Sequence, residues 1–471
     1  MRKTKIVCTL GPATDSSEAI KELISAGMNV ARLNFSHGDH EEHRKRIENI
    51  KKAREELGKY IPIILDTKGP EIRLGKFKNS FENIFSGDEY TLTTRDIEGD
   101  NTIVGISYKY LTEDVEKGTR ILIADGTIEL SVLDYNETDV RCKVITGGVV
   151  SDRKNVNIPG ASSKLPAVTE KDILDINFGL DMGIDIIAAS FIRKATDVLE
   201  IRKILKDRKR HKMMIIAKIE NAEGVENCDE ILEVADGIMV ARGDLGVEIP
   251  TEDMPLVQKK LIAKANKFGK PVITATQMME SMVKNPRPTR AEVTDIANAI
   301  FDGSDGIMLS GETAIGKYPV GTVTTMAAIA KRTEKALDYN KSIRKGIEEK
   351  YSVTNAISYA GYSIAKDLCA SAIITPTESG STARMVSKYR PLAPIIAATP
   401  NEYVVKELCL SFGVEPILIE STESTDEIIQ ISVNEAMKTG LLKKGDLVVI
   451  TAGIPVGIPG TTNLIKVHIA E

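Results

Sequence analysis

The chain has 471 residues, of which 42% are hydrophobic and 27% are charged, a balance typical of a globular protein with two or three domains. Its 62 basic and 67 acidic residues give a formal net charge of -5 and are spread along the chain, which excludes the dense basic face of a nucleic-acid-binding protein. Without an apolar run long enough for a signal peptide or a membrane span, and with five scattered cysteines, the sequence predicts a cytoplasmic protein with no nucleic-acid or membrane partner.

Eight short apolar runs, each ending in polar residues and followed by an amphipathic pattern, predict buried parallel strands alternating with helices. The runs are Thr4–Leu10, Asn29–Asn34, Ile61–Asp66, Asp185–Ser190, Met213–Glu220, Gly237–Gly243, Pro271–Thr276 and Gly306–Ser310. Eight such units indicate a (β/α)8 TIM barrel. An open doubly wound sheet gives the same alternation and is the alternative.

The alternation of strands and helices is interrupted once, and a different pattern follows in the last part of the sequence. Residues 70–165 read as short alternating strands and turns, a β-barrel-like domain inserted at the face where barrel enzymes place their active sites, and therefore a candidate lid. Residues 341–471 read as a separate C-terminal α/β domain. The barrel itself is predicted to comprise residues 1–69 and 166–340.

One group of charged side chains is predicted to bind a metal. Lys218 and Glu220 are two residues apart on a strand, so both side chains lie on one face, and Asp244 follows the next strand. Two carboxylates at the ends of neighbouring strands suit Mg²⁺ or Mn²⁺. The alternative is an ion network of these three residues with Arg242 and no metal.

Further polar residues follow other strands at the same rim. Oxygen ligands for a hard cation are available at Asn34, Ser36, Asp66 and Thr67, although such residues are also common in turns. Arg32 and Arg73 could clamp a phosphate. Thr276, Ser310 and Glu312 could orient water or relay a proton.

Two motifs are less informative than they look. Gly311–Tyr318 nearly matches a phosphate-binding loop, but a tyrosine occupies the position of the metal-binding hydroxyl, so we reject it. His37, His40 and His43 are interpreted as surface residues at a loop-to-helix junction rather than as a metal cluster, with His37 retained as a candidate nucleotide contact.

A loop of the last domain combines small hydroxyl residues with a glycine before a predicted helix. Its candidate effector-binding residues are Thr377, Ser379, Gly380, Ser381 and Thr382. Backbone N–H groups at such a position can bind a phosphate, and a plain helix N-cap is the alternative.

At this point six motifs together resemble the pyruvate kinase family over essentially the whole chain. They are Asn29–Gly38, Leu65–Arg73, Ala217–Asn221, Met239–Gly246, Ala275–Met282 and Met308–Ala314. The resemblance implies transfer of the phosphoryl group of phosphoenolpyruvate to ADP, giving pyruvate and ATP.

Carried onto this sequence, the resemblance implies a role for each rim residue. Glu220 and Asp244 would bind the divalent metal, and Lys218 would stabilise charge on the transferring group. Arg32 would meet the phosphoryl group, while Gly243 and Thr276 would hold the carboxylate end of the substrate. The K⁺ ligands would be Asn34, Ser36, Asp66 and Thr67, and the nucleotide contacts would be His37, Lys154 and Arg73.

The family also implies a homotetramer whose terminal domain binds a phosphorylated effector. Glu71 matches the family members that need K⁺. Glu378 stands where relatives that bind fructose 1,6-bisphosphate have lysine, and an acid there would repel a phosphate, so a smaller sugar phosphate or AMP fits better. A metal-dependent pyruvate lyase and a catalytically silent sensor on the same fold are the rival functions.

Overall fold

Eight parallel strands close into a barrel in the computed structural model, which describes residues 1–160, 164–338, 352–422, 424–455 and 460–471. The strands are Lys5–Thr9, Val30–Asn34, Ile63–Asp66, Ile186–Ala189, Met214–Ile219, Gly237–Ala241, Val272–Ala275 and Gly306–Leu309. Each lies within one of the predicted runs, and the first strand pairs with both the second and the last. The closed barrel is confirmed, and the open sheet is wrong.

Buried side chains fill the inside of the barrel, which is a packed core rather than a pore. Every strand contributes, through Val7, Val30, Ile64, Ile186, Ala188, Met214, Ile216, Met239, Ile273, Ala275 and Met308. Helices cover the outside, at Ser17–Ala26, His40–Glu56, Glu170–Asp181, Ala195–Asp207, Ala222–Glu226, Cys228–Val234, Arg242–Glu248, Met254–Phe268, Arg290–Asp302, Gly311–Ala314 and Pro319–Glu334. The helix Arg242–Glu248 is additional to the predicted elements, because its two glycines obscure a helical pattern.

The inserted domain follows the third barrel strand and is built from short strands around its own core. Its larger sheet has the order Ile72–Arg73, Asn155–Asn157, Arg120–Ile123, Ile128–Tyr135, Asp139–Thr146, Glu89–Thr93 and Ile103–Gly105. A two-stranded sheet pairs Phe81–Ile84 with Gly148–Ser151, and the one α-helix among its described residues is Leu111–Asp114.

The C-terminal domain is a five-stranded sheet flanked by helices. The strand order is Val414–Leu418, Ile395–Thr399, Ala372–Pro376, Leu447–Gly453 and Thr462–Ile469, with only the last strand antiparallel. The helices are Val353–Asp367, Ser381–Ser387, Glu402–Leu408 and Thr425–Lys438. The boundary expected at residue 341 lies outside the described residues, and the other expected boundaries stay predictions.

The C-terminal domain attaches to the end of the barrel where the strands begin. Asp305, directly before the eighth strand, pairs with Arg390 Nη1 at 2.8 Å and accepts the N–H of Phe412 at 3.0 Å. Lys5, at the start of the first strand, donates to the carbonyl of Val414 at 2.7 Å. Among the described residues, no helix is long and apolar enough to cross a bilayer.

Candidate active site

A buried ion network lies where the third and fifth barrel strands end. Lys218 Nζ is 3.0 Å from Asp66 Oδ1 and 2.9 Å from Glu220 Oε1, and it donates to Ser190 Oγ at 2.6 Å. The three N–H donors of the ammonium group therefore have three oxygen partners. Strand alternation places Lys218 and Glu220 on one face, as the sequence predicts.

The charged groups in this network are stabilised by one another rather than by water. Burial lowers the pKa of Lys218, but the charges of Asp66 and Glu220 outweigh it and the net shift is upward, so the lysine stays protonated. Burial raises the pKa of Asp66, but Arg32 and Lys218 outweigh it and the net shift is downward. The ammonium and guanidinium groups are therefore held in fixed positions by carboxylates in a water-poor environment.

Arg32 extends the network toward the first and second strands. Its Nε donates to Asp66 Oδ2 at 2.6 Å, and its Nη1 donates to Thr9 Oγ1 at 2.8 Å. These two bonds use two of the five N–H groups of a guanidinium, so donors remain for a substrate oxygen. The Arg32 side chain is held in one orientation, because only 9% of it is exposed and both hydrogen bonds are buried.

Glu220 has the features of a ligand for a hard cation. Burial raises its pKa to about 7, and the charge of Asp244 adds to the rise while Lys218 and the Phe191 N–H oppose it. Two carboxylates that repel each other in a buried site gain from a divalent cation. Among the described residues no three acidic, histidine or cysteine groups form a metal cluster. Two carboxylates are nevertheless the donor set with which Mg²⁺ or Mn²⁺ is commonly bound, water and substrate being the remaining ligands.

Of the alternative ion network, the Lys218–Glu220 pair forms, but Arg242 has a different partner. Arg242 pairs with Asp295 Oδ2 at 2.7 Å and donates to the Thr276 carbonyl at 2.6 Å. It therefore supports the loop after the seventh strand rather than neutralising Asp244. Thr276 Oγ1 accepts the Gly243 N–H at 2.8 Å, which brings together two residues predicted to hold the substrate.

Thr276 also has a strained backbone. Its φ is 66°, a left-handed conformation that β-branched residues rarely adopt. Such strain costs roughly 1–3 kcal/mol and clusters at functional sites. The conformation places Thr276 Oγ1 against the first turn of the helix that carries Asp244.

The four predicted K⁺ ligands lie on two neighbouring strands and the loops after them. Asn34 is opposite Asp66 in the strand register, and its Oδ1 accepts the Ser36 N–H at 3.1 Å. Thr67 Oγ1 accepts the Ser190 N–H at 3.0 Å. These hydrogen bonds orient the Asn34 and Thr67 side chains.

The predicted nucleotide contacts lie farther from the network. His37 is exposed after the second strand, and Lys154 is exposed on the inserted domain. Arg73 donates to Glu71 Oε2 at 2.8 Å and to the Arg153 carbonyl at 2.7 Å. A cleft of ≈ 480 Å³, within the size range of small-ligand sites, lies between the inserted domain and the barrel, and Asp244 and Glu71 line it.

The histidines are only partly surface residues. His43 is buried, stacks on Phe35 at 3.8 Å between ring centroids and bonds through Nε2 to the His37 carbonyl at 2.9 Å, so the surface interpretation is wrong for it. His40 is half-exposed and pairs with the buried Asp175 at 2.8 Å. The sequence did not reveal these partners, because Asp175 is far from His40 in the chain and the contacts of His43 are with an aromatic ring and a backbone carbonyl.

Sequence reasoning missed Ser190 and Phe191. Ser190 donates from Oγ to the Thr67 carbonyl at 2.6 Å besides accepting from Lys218, and the Phe191 N–H donates to Glu220 Oε2 at 2.6 Å. Ser190 ends the fourth strand as Thr276 ends the seventh, so the same positional rule identifies it. The Phe191 contact is made by backbone and has no residue-type signal.

The loop of the C-terminal domain forms a concave surface. Thr377, Ser379, Ser381 and Thr382 line it together with Glu378, and Gly380 is the N-cap of the following seven-residue helix. Glu378 Oε1 accepts Asn401 Nδ2 at 2.7 Å, and the Thr382 hydroxyl bonds that of Thr462 at 2.8 Å. Residues 456–459, in the segment that joins the last two strands of this domain, are outside the described residues.

Comparisons with known proteins agree with one another over the whole length. Family models described as the pyruvate kinase barrel domain and the pyruvate kinase alpha/beta domain match residues 1–323 and 355–468. The chain is 53% identical to a pyruvate kinase of Clostridium acetobutylicum, covering 100% of both chains. It is 53% identical to one of Geobacillus stearothermophilus over 99% of this chain and 80% of that protein. The crystal structure of a pyruvate kinase from Cryptosporidium parvum superimposes with a TM-score of 0.94 at 40% identity, covering 100% of this chain and 96% of that one.

Proposed function

The chain belongs to the pyruvate kinase family, and on that premise we propose how its own residues carry out the family's reaction. It is a phosphotransferase that moves the phosphoryl group of phosphoenolpyruvate to ADP, giving pyruvate and ATP in the last step of glycolysis. The lyase and sensor alternatives are therefore set aside. The observation that supports the residue assignments is the buried network around Lys218.

Lys218 and Arg32 supply positive charge to the transferring group. Phosphoryl transfer depends on positioning and charge stabilisation more than on covalent catalysis. Both side chains are held by Asp66, so little reorganisation is needed when substrate charge moves. In this assignment Arg32 contacts the phosphoryl oxygens, and Lys218 faces the oxygen that links phosphorus to the enol carbon.

Glu220 and Asp244 are assigned as ligands of Mg²⁺ or Mn²⁺. When bound, a divalent cation supplies electrophilic charge to the phosphoryl and enolate oxygens. Lys218 and the Phe191 N–H fix the orientation of Glu220, while the first turn of the helix Arg242–Glu248 fixes the backbone of Asp244. The Glu220 carboxylate is thus oriented by the chain before any ligand arrives.

Gly243 and Thr276 are assigned to the carboxylate end of the substrate. The Thr276 hydroxyl accepts the Gly243 N–H and donates to the Ala275 carbonyl at 2.6 Å, so its position is fixed. Its hydroxyl lies on the side of the site where the enol carbon takes up a proton in this assignment.

The remaining assignments concern the monovalent cation and the nucleotide. Asn34, Ser36, Asp66 and Thr67 are assigned to K⁺, since all four offer only oxygen near the metal site. His37, Lys154 and Arg73 are assigned to ADP and ATP. Because Lys154 and Arg73 belong to the inserted domain and His37 to the barrel, a nucleotide between them would draw the domain down as a lid.

The proposal also covers regulation, assembly and location. The loop Thr377–Thr382 is assigned to a phosphorylated effector smaller than fructose 1,6-bisphosphate, because Glu378 lines the same concave surface. A homotetramer follows from the family alone. A cytoplasmic location is supported by the scattered, unpaired cysteines.

A coupled assay with lactate dehydrogenase tests the proposal. Pyruvate should form only when ADP and Mg²⁺ are both present, and replacing K⁺ by choline should lower the rate. Glu220→Gln should raise the Mg²⁺ concentration for half-maximal rate by about tenfold or more, the range of a lost ligand. Asp253→Asn, which removes an exposed carboxylate nearby, is the matched control. Equal Mg²⁺ dependence in all three proteins would refute the metal assignment.

A further inference from the structure

A side-chain hydrogen bond crosses from the inserted domain to the barrel. Asn157 lies on the inserted-domain strand Asn155–Asn157, and its Nδ2 donates to Glu248 Oε1 at 2.8 Å. Glu248 is the last residue of the helix Arg242–Glu248, one turn after Asp244 on the same face. The contact therefore links the inserted domain to the helix that carries a metal carboxylate.

A second contact involves the same turn of that helix. Gly126 occupies a tight turn between two inserted-domain strands with φ of 79°, and a Cβ built on it would lie 3.7 Å from Val247. The turn therefore packs against the residue next to Glu248. The inserted domain therefore contacts the same helical turn at two places, Asn157 and Gly126. Two contacts hinder both translation and rotation of the domain relative to the barrel.

The hydrogen bond between Asn157 and Glu248 lies close to the point where the chain passes from the barrel to the inserted domain. The strand Asn155–Asn157 pairs with Ile72–Arg73, the first inserted-domain strand after the chain leaves the barrel. The bond is thus near the connection between the two domains. A small displacement there moves the far side of the inserted domain by a larger distance.

We propose that Asn157 and Glu248 are positioning residues that set the angle of the inserted domain over the cleft and fix the end of the Asp244 helix. This inference rests on the proposed role of the inserted domain as a lid over the nucleotide. Neither residue needs to touch the reacting atoms, and both line the cleft that separates the two domains.

Loss of the bond has two measurable consequences. The nucleotide is held less tightly, because Lys154 on the inserted domain contributes to its site. Water also enters more often and competes with ADP: it attacks phosphorus, the bond from phosphorus to the enol oxygen breaks, and inorganic phosphate and pyruvate form without ATP. A change that merely lowered the amount of folded enzyme would leave this partition unchanged.

The experiment compares Glu248→Ala, Asn157→Ala and the double variant with the unmodified enzyme. Each single variant should raise the KM for ADP roughly three- to tenfold, the effect of one ordinary hydrogen bond, and raise the ratio of phosphate to ATP formed. The double variant should be no worse than the single ones, since both remove the same bond. Hydrogen exchange of the strand Asn155–Asn157 should accelerate in all three.

Conservative and control variants separate this bond from other effects. Glu248→Gln keeps an acceptor oxygen for Asn157 and should restore the KM for ADP to within about twofold of the original. Asn79→Ala removes the same type of bond, from Nδ2 to Glu82 Oε1 at 2.9 Å, within the inserted domain and should change neither readout.

Two results would overturn the inference while leaving the reaction itself intact. One is an unchanged KM and product ratio in both alanine variants of an enzyme that makes ATP. The other is a Glu248→Gln variant as impaired as Glu248→Ala, since the carboxylate charge and not the bond would then matter. Failure of the unmodified enzyme to form ATP would instead refute the proposed function.

Discussion

Replacing Lys218 by methionine removes the charge at the centre of the buried network while keeping side-chain length. The lysine forms ion pairs of 3.0 and 2.9 Å with Asp66 and Glu220, and both carboxylates are about 1% exposed. Removing one preorganised donor to transition-state charge costs roughly 3–4 kcal/mol, so kcat should fall by about 10²- to 10³-fold. The KM for phosphoenolpyruvate should change far less, because the lost interaction strengthens as the bond breaks.

The same substitution should affect stability in a pH-dependent way. Breaking a buried ion pair costs roughly 3–5 kcal/mol, and we expect the lower end because Asp66 keeps Arg32 and Glu220 keeps the Phe191 N–H. Without Lys218 the pKa of Glu220 rises further above its unfolded value, so the folded state binds more protons. In metal-free buffer the variant should therefore lose stability relative to the original as pH rises from 6 to 8.

Steady-state kinetics and thermal unfolding measure both effects. Lys203→Met, at an exposed position on a barrel helix, is the matched control and should leave kcat and unfolding unchanged. A kcat within tenfold of the original would refute the assignment of Lys218 to the transferring group. A stability difference that does not grow with pH would refute the electrostatic account of the network.

Three other side chains give predictions that thermal unfolding can test. Burial raises the pKa of Glu407 to about 7, against the opposing charge of Arg384. Stability should therefore fall as pH rises from 4.5 to 7, and Glu407→Gln should be up to roughly 3 kcal/mol more stable at pH 8. Burial lowers the pKa of His43 to about 4, so stability should be lost as pH falls from 6.5 to 4. His43→Phe should keep the stacking on Phe35 and abolish this dependence on pH. An unchanged dependence would show that His43 is not its source. Arg390→Ala leaves Asp305 buried without its cation and should lower the unfolding free energy by roughly 3–5 kcal/mol. Unchanged stability would show that this ion pair does not hold the C-terminal domain to the barrel.

Much of the fold follows from local sequence. Strands buried on both sides are almost continuously apolar, so the eight barrel strands were located to within a few residues. Alternation along a strand also placed Lys218 and Glu220 together. These features depend on neighbours in the chain, which the sequence displays directly.

The remaining features depend on residues that are distant in the chain. Ser190 meets Lys218 only because the fourth and fifth strands are adjacent, and the partner of Arg242 is Asp295, on the helix that follows the next strand. The helix that carries Asp244 is short and contains two glycines, so propensity does not predict it. The angle of the inserted domain is likewise set by Asn157 and Glu248, which are 91 residues apart.

The two added domains join opposite ends of the barrel: the inserted one near the end of the third strand, the terminal one through Asp305 and Lys5 where strands begin. A mutation in the terminal loop therefore does not alter any side chain assigned to substrate. On the proposed effector role of that loop, selection can change the effector while the chemistry stays constant. Exchanging terminal domains between relatives tests this separation: the reaction should be kept and the response to effectors should follow the terminal domain.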